Sequence, residues 1–346
     1  MISQLSFSDG EEQARLERLR SRNKLLQLNK HINWEIFRPI IKNALKHEPK
    51  GPGGRPAFDE LMKFKMLILG RIYNLSDAEL EFQVEDRTSF RDFLGLRAGD
   101  KVPDEKTIWE YREKLSKAGA MKKLFGRFDA VLHDNALILN DGRIVDAEII
   151  EAPKRHLKKE EKEQLQESSD KLSSEQNTHR RSQIDMDAGW TFKHGRRYFG
   201  YKNTAKIDKG SKLILGYHTT NASVHDSQSF SSVLDKDQDK GQPIFADKGY
   251  WGQKCFTEVI RTAGKGMCRI MHKAKRGTPI TEEQKQENKQ WAKTRSRVEH
   301  VFAHKKYVLN FRLIRRKGLK RADFEIGLGN LVYNLQRFCF LVSESA

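Results

Sequence analysis

The chain has 346 residues, of which 65 are Lys or Arg and 47 are Asp or Glu, so its formal net charge is +18. This length predicts about two domains with a buried core, and the basic excess favours a polyanionic partner such as nucleic acid. No apolar run approaches the roughly 20 residues needed to cross a bilayer, and the three cysteines lack the spacing of a disulfide framework or zinc knuckle, so we expect a soluble, cytoplasmic protein.

The first 120 or so residues show helical patterns. Apolar residues at nearly every third or fourth position predict a helix with a buried face over Asp59–Tyr73. Ser76–Glu79 matches a capping box, in which the Ser hydroxyl and the Glu carboxylate each satisfy a free amide, so another helix begins there. Asp104–Leu115 follows a turn and predicts a short capped helix. We interpret residues 1–120 as an all-helical DNA-binding domain.

Three residues of this helical domain are candidates for DNA contact. Thr107 and Arg112 lie on the short helix after the turn, an arrangement compatible with a helix-turn-helix reader as well as with a plain packing helix. Arg55 lies in a Gly-Gly-Arg-Pro stretch that suits either insertion into a minor groove or a simple linker.

Beyond residue 120 the pattern changes to strands and helices. Apolar and β-branched runs predict strands that begin near Arg143 and that span Arg197–Ile207, Leu213–Thr220 and Pro243–Ala246. A long helical stretch is predicted over Thr281–Leu309. Residues 154–189 hold eight basic and eight acidic residues and no aromatic one, so they form an insertion, either a solvated helix or disordered. Residues 121–342 are thus predicted to be an α/β domain with a mixed sheet.

The most unusual segment is 289–321, which holds twelve Lys or Arg and one acid, Glu299. On a helix Arg295, Glu299 and Lys306 fall within an arc of about 40°, so one face presents a carboxylate between two cations. The alternative is a solvated helix with a weak Arg295–Glu299 pair. The other cations of the segment that we expect to contact phosphates are Arg297, Arg315 and Arg316.

Two aspartates lie at the ends of predicted strand segments. Asp146 closes one apolar run, and Asp247 ends another at the sheet edge where open α/β sheets build sites. With Glu299 they form an oxygen-only donor set suited to Mg²⁺ or Mn²⁺, and two such ions can promote in-line phosphoryl transfer. Glu148 is the main rival to Asp146, because alternate strand residues share a face. Trp251 suits stacking on an unpaired base or packing against the sheet.

These residues resemble those of a known family. The constellation Asp146, Asp247-Lys-Gly-Tyr and Arg295-x3-Glu299-x6-Lys306 is similar to that of the DDE transposases of bacterial insertion sequences, specifically the insertion-sequence-five group. The resemblance covers about residues 30–340 and includes Gly-Arg-Pro at 54–56 and Val-Asp-Ala-Glu-Ile-Ile-Glu-Ala-Pro at 145–153. One departure is Ala292, where the family signature has Tyr three residues before the Arg.

The resemblance implies an RNase H-like catalytic core in which Asp146, Asp247 and Glu299 hold Mg²⁺ or Mn²⁺, two ions in all, and in which Arg295 and Lys306 hold phosphates. Such enzymes bind terminal inverted repeats, cut DNA to free a 3′-hydroxyl and use it to attack target DNA, with no covalent intermediate. Pairing two ends of double-stranded DNA implies at least a homodimer, associated with the bacterial nucleoid. We therefore predict a transposase; the alternatives are a non-catalytic DNA-binding regulator and an RNase H-like nuclease without strand transfer.

Overall fold

The computed structural model describes residues 18, 23–45, 57–97, 99–154, 184–193, 195–275 and 277–344. The chain divides into two compact units, unit 1 comprising Met1–Phe128 and Asn334–Ala346, and unit 2 comprising Asp129–Tyr333. Arg55 and most of the predicted insertion over 154–189 lie outside the described residues. None of the described helices is long and apolar enough to span a membrane.

In the described part of unit 1 the regular secondary structure is helical. Its helices are α1 (Lys24–His31), α2 (Arg38–Leu45), α3 (Glu60–Tyr73), α4 (Asp77–Asp86), α5 (Thr88–Leu94), α6 (Glu105–Lys117) and the first part of α7 (Ala120–Asp134), with a 3₁₀ turn at Trp34–Phe37. Helices α3, α4 and α6 each begin after a side-chain cap, from Asp59, Ser76 and Asp104, because these short polar side chains bond the free amides of the first turn. Their apolar faces meet in an aromatic cluster in which Phe37 contacts Phe64.

Unit 2 contains a six-stranded mixed sheet. Its strands are β1 (Arg143–Glu151), β2 (Gly189–Lys193), β3 (Arg196–Asp208), β4 (Ile214–Asn221), β5 (Ile244–Ala246) and β6 (Cys268–Ile270). The strand order is β2-β3-β1-β5-β6, with β4 also paired to β3. Strand β3 is antiparallel to β1, β2 and β4, whereas β5 is parallel to β1 and β6. Strands β2 and β6 were not predicted from the sequence.

The helices of unit 2 flank this sheet. They are α8 (Asp226–Ser229), α9 (Lys236–Asp239), α10 (Gln253–Thr262), α11 (Glu282–Arg295), α12 (Arg297–Ala303) and most of α13 (Leu319–Glu344). A core of buried residues from β1, β5, β6 and α10 includes Val145, Ile244, Val259 and Ile270. This core fixes β5 and the first half of β1, where the candidate site lies.

The single helix predicted over Thr281–Leu309 is wrong in detail. Helix α11 ends at Arg295, α12 begins at Arg297, and a turn of π-helix follows over His304–Val308. A π-helical turn holds more residues than an α-helical one. Residues in and after this turn therefore leave the arc of about 40° that a single α-helix predicts for Arg295, Glu299 and Lys306. As a result Lys305 is fully buried, and Lys306 does not share one regular helical face with Glu299.

Candidate active site

Two aspartates lie at equivalent positions on neighbouring parallel strands, Asp146 within β1 and Asp247 directly after β5. Strands β1 and β5 pair with Val145 opposite Ala246, so Asp146 and Asp247 come next at equivalent positions. Oδ1 of Asp247 accepts a 2.8 Å hydrogen bond from the Gly249 amide, and the short 3₁₀ turn that follows directs the chain away from the sheet. The fold thereby brings the two carboxylates near each other where β5 ends beside β1.

The Asp146 side chain is only 14% exposed, and its surroundings disfavour its charge. Burial raises the pKa of Asp146 to about 6; the Arg295 guanidinium acts against this shift, and the charge of Asp247 adds to it. A carboxyl group that is mostly buried beside a second carboxylate has poor compensation for its negative charge. Asp146 is therefore a group whose ionised form gains from an additional cation.

Arg295 connects the strand of Asp146 with the helix of Glu299. Its Nη1 donates to Oδ2 of Asp146 at 2.8 Å, and its Nη2 donates to Oε1 of Glu299 at 3.3 Å. The i, i+4 pair that the sequence predicts is thus formed across the junction of α11 and α12. Glu299 remains 65% exposed, so its carboxylate is free to change rotamer. One guanidinium stands between two of the three candidate acids.

The three carboxylates fit a divalent cation chemically. They are hard oxygen donors, which Mg²⁺ and Mn²⁺ prefer, and the raised pKa of Asp146 reflects a charge that such a cation would compensate. Within the described ranges no three acidic, His or Cys side chains lie close enough to share a metal. Joint binding therefore requires Arg295 to withdraw from Asp146 and the exposed Glu299 to turn toward the aspartates.

Glu148, the rival to Asp146, points into a buried polar network. Its Oε1 accepts hydrogen bonds from Lys305 Nζ and, at 3.0 Å, from Asn203 Nδ2. Lys305 also donates to Oδ1 of Asn330 at 2.6 Å, and the four side chains are buried. The Glu148 charge is thus neutralised by Lys305. The sequence pattern did not single out Lys305, because the π-helical turn that points this side chain inward has no local sequence signature.

The other DNA-contact candidates of unit 2 differ in exposure and in the hydrogen bonds and ion pairs that they already make. Lys306 is partly exposed, and Arg315 is exposed. Arg297 is exposed and donates to the carbonyl of Lys209 at 3.1 Å. The guanidinium of Arg316 pairs with a Glu325 oxygen at 2.9 Å, which leaves it less available to a phosphate.

Trp251 lies beyond the Asp247 turn, against the core. Its ring centroid is 4.8 Å from that of Phe256 and 5.1 Å from that of His272, and His272 in turn contacts Trp291. The ring is half-buried. Both ring contacts favour packing of Trp251 within the unit over stacking on an unpaired base.

In unit 1 the prediction for Arg112 needs correction. Arg112 is buried, and its Nη1 and Nη2 donate to the two oxygens of Asp77 at 2.8 and 2.6 Å. This bidentate pair ties α6 to α4, so we no longer count Arg112 among the DNA contacts. Thr107 is partly exposed in the first turn of α6, and its amide donates to the Asp104 cap at 2.7 Å.

Comparison with known proteins gives three findings. The family model described as Transposase DDE domain matches residues 139–335, more than half of the chain. A second model, described as Transposase domain (DUF772), matches residues 13–114. The chain is also similar to a solved structure, a piggyBac transposase synaptic complex with hairpin DNA studied by cryo-EM, with 13% identity and a TM-score of 0.46 over 93% of this chain and 76% of that chain.

Proposed function

The chain belongs to the transposases that carry a DDE domain, and from this premise we propose that it acts at the terminal inverted repeats of an insertion sequence. It cuts DNA there to free a 3′-hydroxyl and joins that hydroxyl to target DNA. Membership implies that the chain binds DNA and depends on a divalent metal. As proposals we add an RNase H-like core, which the mixed sheet supports, membership of the insertion-sequence-five group, and a homodimer on DNA.

The observation that carries this proposal is that Asp146 and Asp247 occupy equivalent positions on neighbouring strands and that Arg295 bridges Asp146 to Glu299. All four residues lie inside the range that matches the DDE domain. We assign the three carboxylates as the catalytic, metal-holding residues, in keeping with their oxygen chemistry. Two Mg²⁺ or Mn²⁺ ions bound there would activate the attacking oxygen and stabilise the leaving oxygen.

The residues of the chain have distinct tasks in this scheme. Asp146 lies within β1 and Asp247 directly follows β5, so the core holds their backbone in place. Glu299 lies in the exposed first turn of α12 and completes the set of three carboxylates. Arg295 keeps Asp146 ionised in the absence of DNA. When a DNA phosphate arrives, the guanidinium offers it paired N–H groups, because phosphate and carboxylate oxygens are recognised in the same way. Lys306 supplies a second cation for the phosphates of the DNA backbone.

The experiment is to incubate the full chain and Mg²⁺ with DNA that carries the ends of its element. We expect nicks that expose 3′-hydroxyls at those ends, followed by products joined to target DNA. Nicks without joined products would indicate a nuclease instead of a transposase. Binding to the ends without nicks would indicate a regulator and would remove the proposed chemistry.

A further inference from the structure

The hairpin of β2 and β3 projects past the carboxyl end of β1 and exposes aromatic side chains. Strand β3 pairs with β1 only as far as Gly200, opposite Glu151, and the residues before it pair with β2 instead. On β2, Trp190 is 45% exposed and Phe192 is 69% exposed. The Trp190 ring contacts that of Phe199 at 5.1 Å between centroids, yet both Trp190 and Phe192 leave a large part of their surface open to a partner.

The register of the strands shows which face these rings occupy. Residues directly opposite in antiparallel strands project to the same face, and so do alternate residues of one strand. Asp146 is opposite Ala205, and six residues earlier on the same strand Phe199 is opposite Trp190. Trp190 therefore projects to the sheet face that carries Asp146, and Phe192, two residues further, does as well.

The charges of the part of the hairpin that projects beyond β1 are of one sign. Residues 188–199 contain three Lys or Arg and no acidic residue. Arg197 is opposite Phe192 on the aromatic face, and the Lys193 charge reaches Asp146, whose pKa it lowers in part. A polyanion is the partner that this charge complements.

A second exposed aromatic group lies at the same edge. Tyr307, in the π-helical turn, is 72% exposed, and the Arg312 guanidinium lies 4.4 Å from the centre of its ring. The Arg312 carbonyl accepts a 2.9 Å hydrogen bond from the amide of Glu151, the last residue of β1. The Tyr307–Arg312 pair is thus anchored where β1 ends, as the hairpin is.

We propose that these groups form a binding surface for unpaired DNA bases beside the cut. This aromatic rim consists of Trp190, Phe192, Lys193, Arg197, Tyr307 and Arg312. Aromatic rings stack on the face of any base, and neighbouring cations hold the backbone. In a paired duplex the base faces are hidden, so the rim selects nucleotides that have separated from their partners. The inference rests on the proposed function in that it takes DNA as the substrate.

The test compares two DNAs in the absence of metal, with the full chain: a fully paired duplex and the same duplex with a short unpaired thymine tail. The wild-type protein should bind the tailed duplex more tightly. Phe192→Ala and Tyr307→Ala should each weaken binding to the tailed duplex about tenfold and change binding to the paired duplex by less than about twofold. Trp190→Phe, which keeps a ring, should retain most of the preference.

Phe340→Ala is the matched control, because Phe340 is 48% exposed on α13, outside the predicted DNA-binding domain, and its loss should leave both affinities unchanged. Equal losses on both DNAs would overturn the inference, since the rim would then supply only general affinity. Conversion of an oligomer to a monomer by the rim variants in a sedimentation measurement would also overturn it, by showing a subunit interface.

The binding assay needs no cutting, so the two proposals fail separately. A protein that prefers the tailed duplex through the rim but neither nicks nor joins element ends would keep this inference and lose the proposed function. A protein that nicks and joins, but whose rim variants bind the tailed duplex like the wild type, would keep the proposed function and lose this inference.

Discussion

Strand β1 carries several charged groups, and the fold compensates those at Arg143 and Asp146 differently. At its amino end Arg143 is fully buried, and its guanidinium bonds Asp208 at 2.7 Å and reaches Asp239 at 3.4 Å. The Lys206 amine bonds both oxygens of Asp239, at 2.9 and 3.0 Å. Two cations thus meet two carboxylates in a closed, neutral cluster.

Three residues further along the same strand the balance is different. Asp146 and Glu299 share a single guanidinium, that of Arg295. The pKa of Asp146 is raised to about 6 by burial, with a further contribution from the charge of Asp247. Burial alone therefore does not separate structural from functional charges in this unit. What separates them is whether each charge is compensated, because an uncompensated carboxylate group at an open edge is still able to bind a cation.

The largest expected effect comes from removing the carboxylates at the open edge. Asp146→Ala, Asp247→Ala and Glu299→Ala should each lower DNA cleavage by more than about a hundredfold, since even the partners of metal ligands matter by factors of that order. Binding to the element ends should persist, because the proposed task of these groups is to hold metal and not DNA. Glu282→Ala on α11, whose side chain is 80% exposed, is the control. Full cleavage by any one of the three variants would refute its assignment.

Removing a charge from the closed cluster around Arg143 should instead lower the stability of the fold. Arg143→Met leaves buried Asp208 and Asp239 with less positive charge, so the free energy of unfolding should fall by about 3–5 kcal/mol. Urea unfolding measures it. The control is Arg261→Met, because Arg261 is 62% exposed in a surface pair with Glu258 and such pairs contribute little. A loss no greater than that of the control would remove the distinction between the two regions.

Neutralising the open edge should stabilise the fold. Because the folded pKa of Asp146 is about 6 and its ordinary value is 3.8, the unfolded chain ionises first, and wild-type stability falls as pH rises between these values. Asp146→Asn escapes this loss and should be more stable by about 1–3 kcal/mol at pH 7.

The pH dependence of this gain is the sharper measurement. Urea unfolding of Asp146→Asn and wild type should give converging stabilities below about pH 4, where the carboxyl group is protonated in both states. The exposed Asp141 provides the control, since Asp141→Asn should change stability little at any pH. A gain that is the same at all pH values would show that Asp146 is not the titrating group.

The smallest effect is that of metal on the free protein. Mg²⁺ or Mn²⁺ at ten times its dissociation constant should stabilise the wild type by about 1.4 kcal/mol, because only the folded chain gathers the ligands. Thermal unfolding of Asp247→Asn should show little of this gain, whereas Asp141→Asn should keep it. Equal stabilisation of both variants would place the bound metal elsewhere on the chain.

Local patterns predicted much of unit 2. Strand β1 begins at Arg143, as the β-branched run indicates, and β5 occupies Ile244–Ala246 because three consecutive apolar residues suit a strand buried on both faces. Strand β2 was not predicted, because its amino end lies where the composition is that of a charged insertion and its pairing comes from β3. Strand β6 is only three residues long, Cys268–Ile270, too short for a periodic pattern.

Contacts between distant residues were beyond the sequence. The sequence pattern of α6 suggests that Arg112 is exposed. In the structure Arg112 pairs with Asp77, which lies 35 positions earlier in the chain. The π-helical turn after α12 has no local sequence signature. The sequence therefore did not predict that Lys305, and not Lys306, points into the interior of the unit. Both errors arise because tertiary partners decide where a long charged side chain goes.

The sequence by itself determined that three acids stand in order among an excess of basic residues, two of them at the ends of apolar runs. It did not separate Asp146 from Glu148, because a period of two places both on one face of β1. The tertiary structure gives the two carboxylates different surroundings. Lys305, 157 positions from Glu148, neutralises Glu148 inside the unit, while Asp146 lies beside Asp247 at the open edge with Arg295 as its ion-pair partner. Charge compensation across such distances depends on which segments the fold packs together.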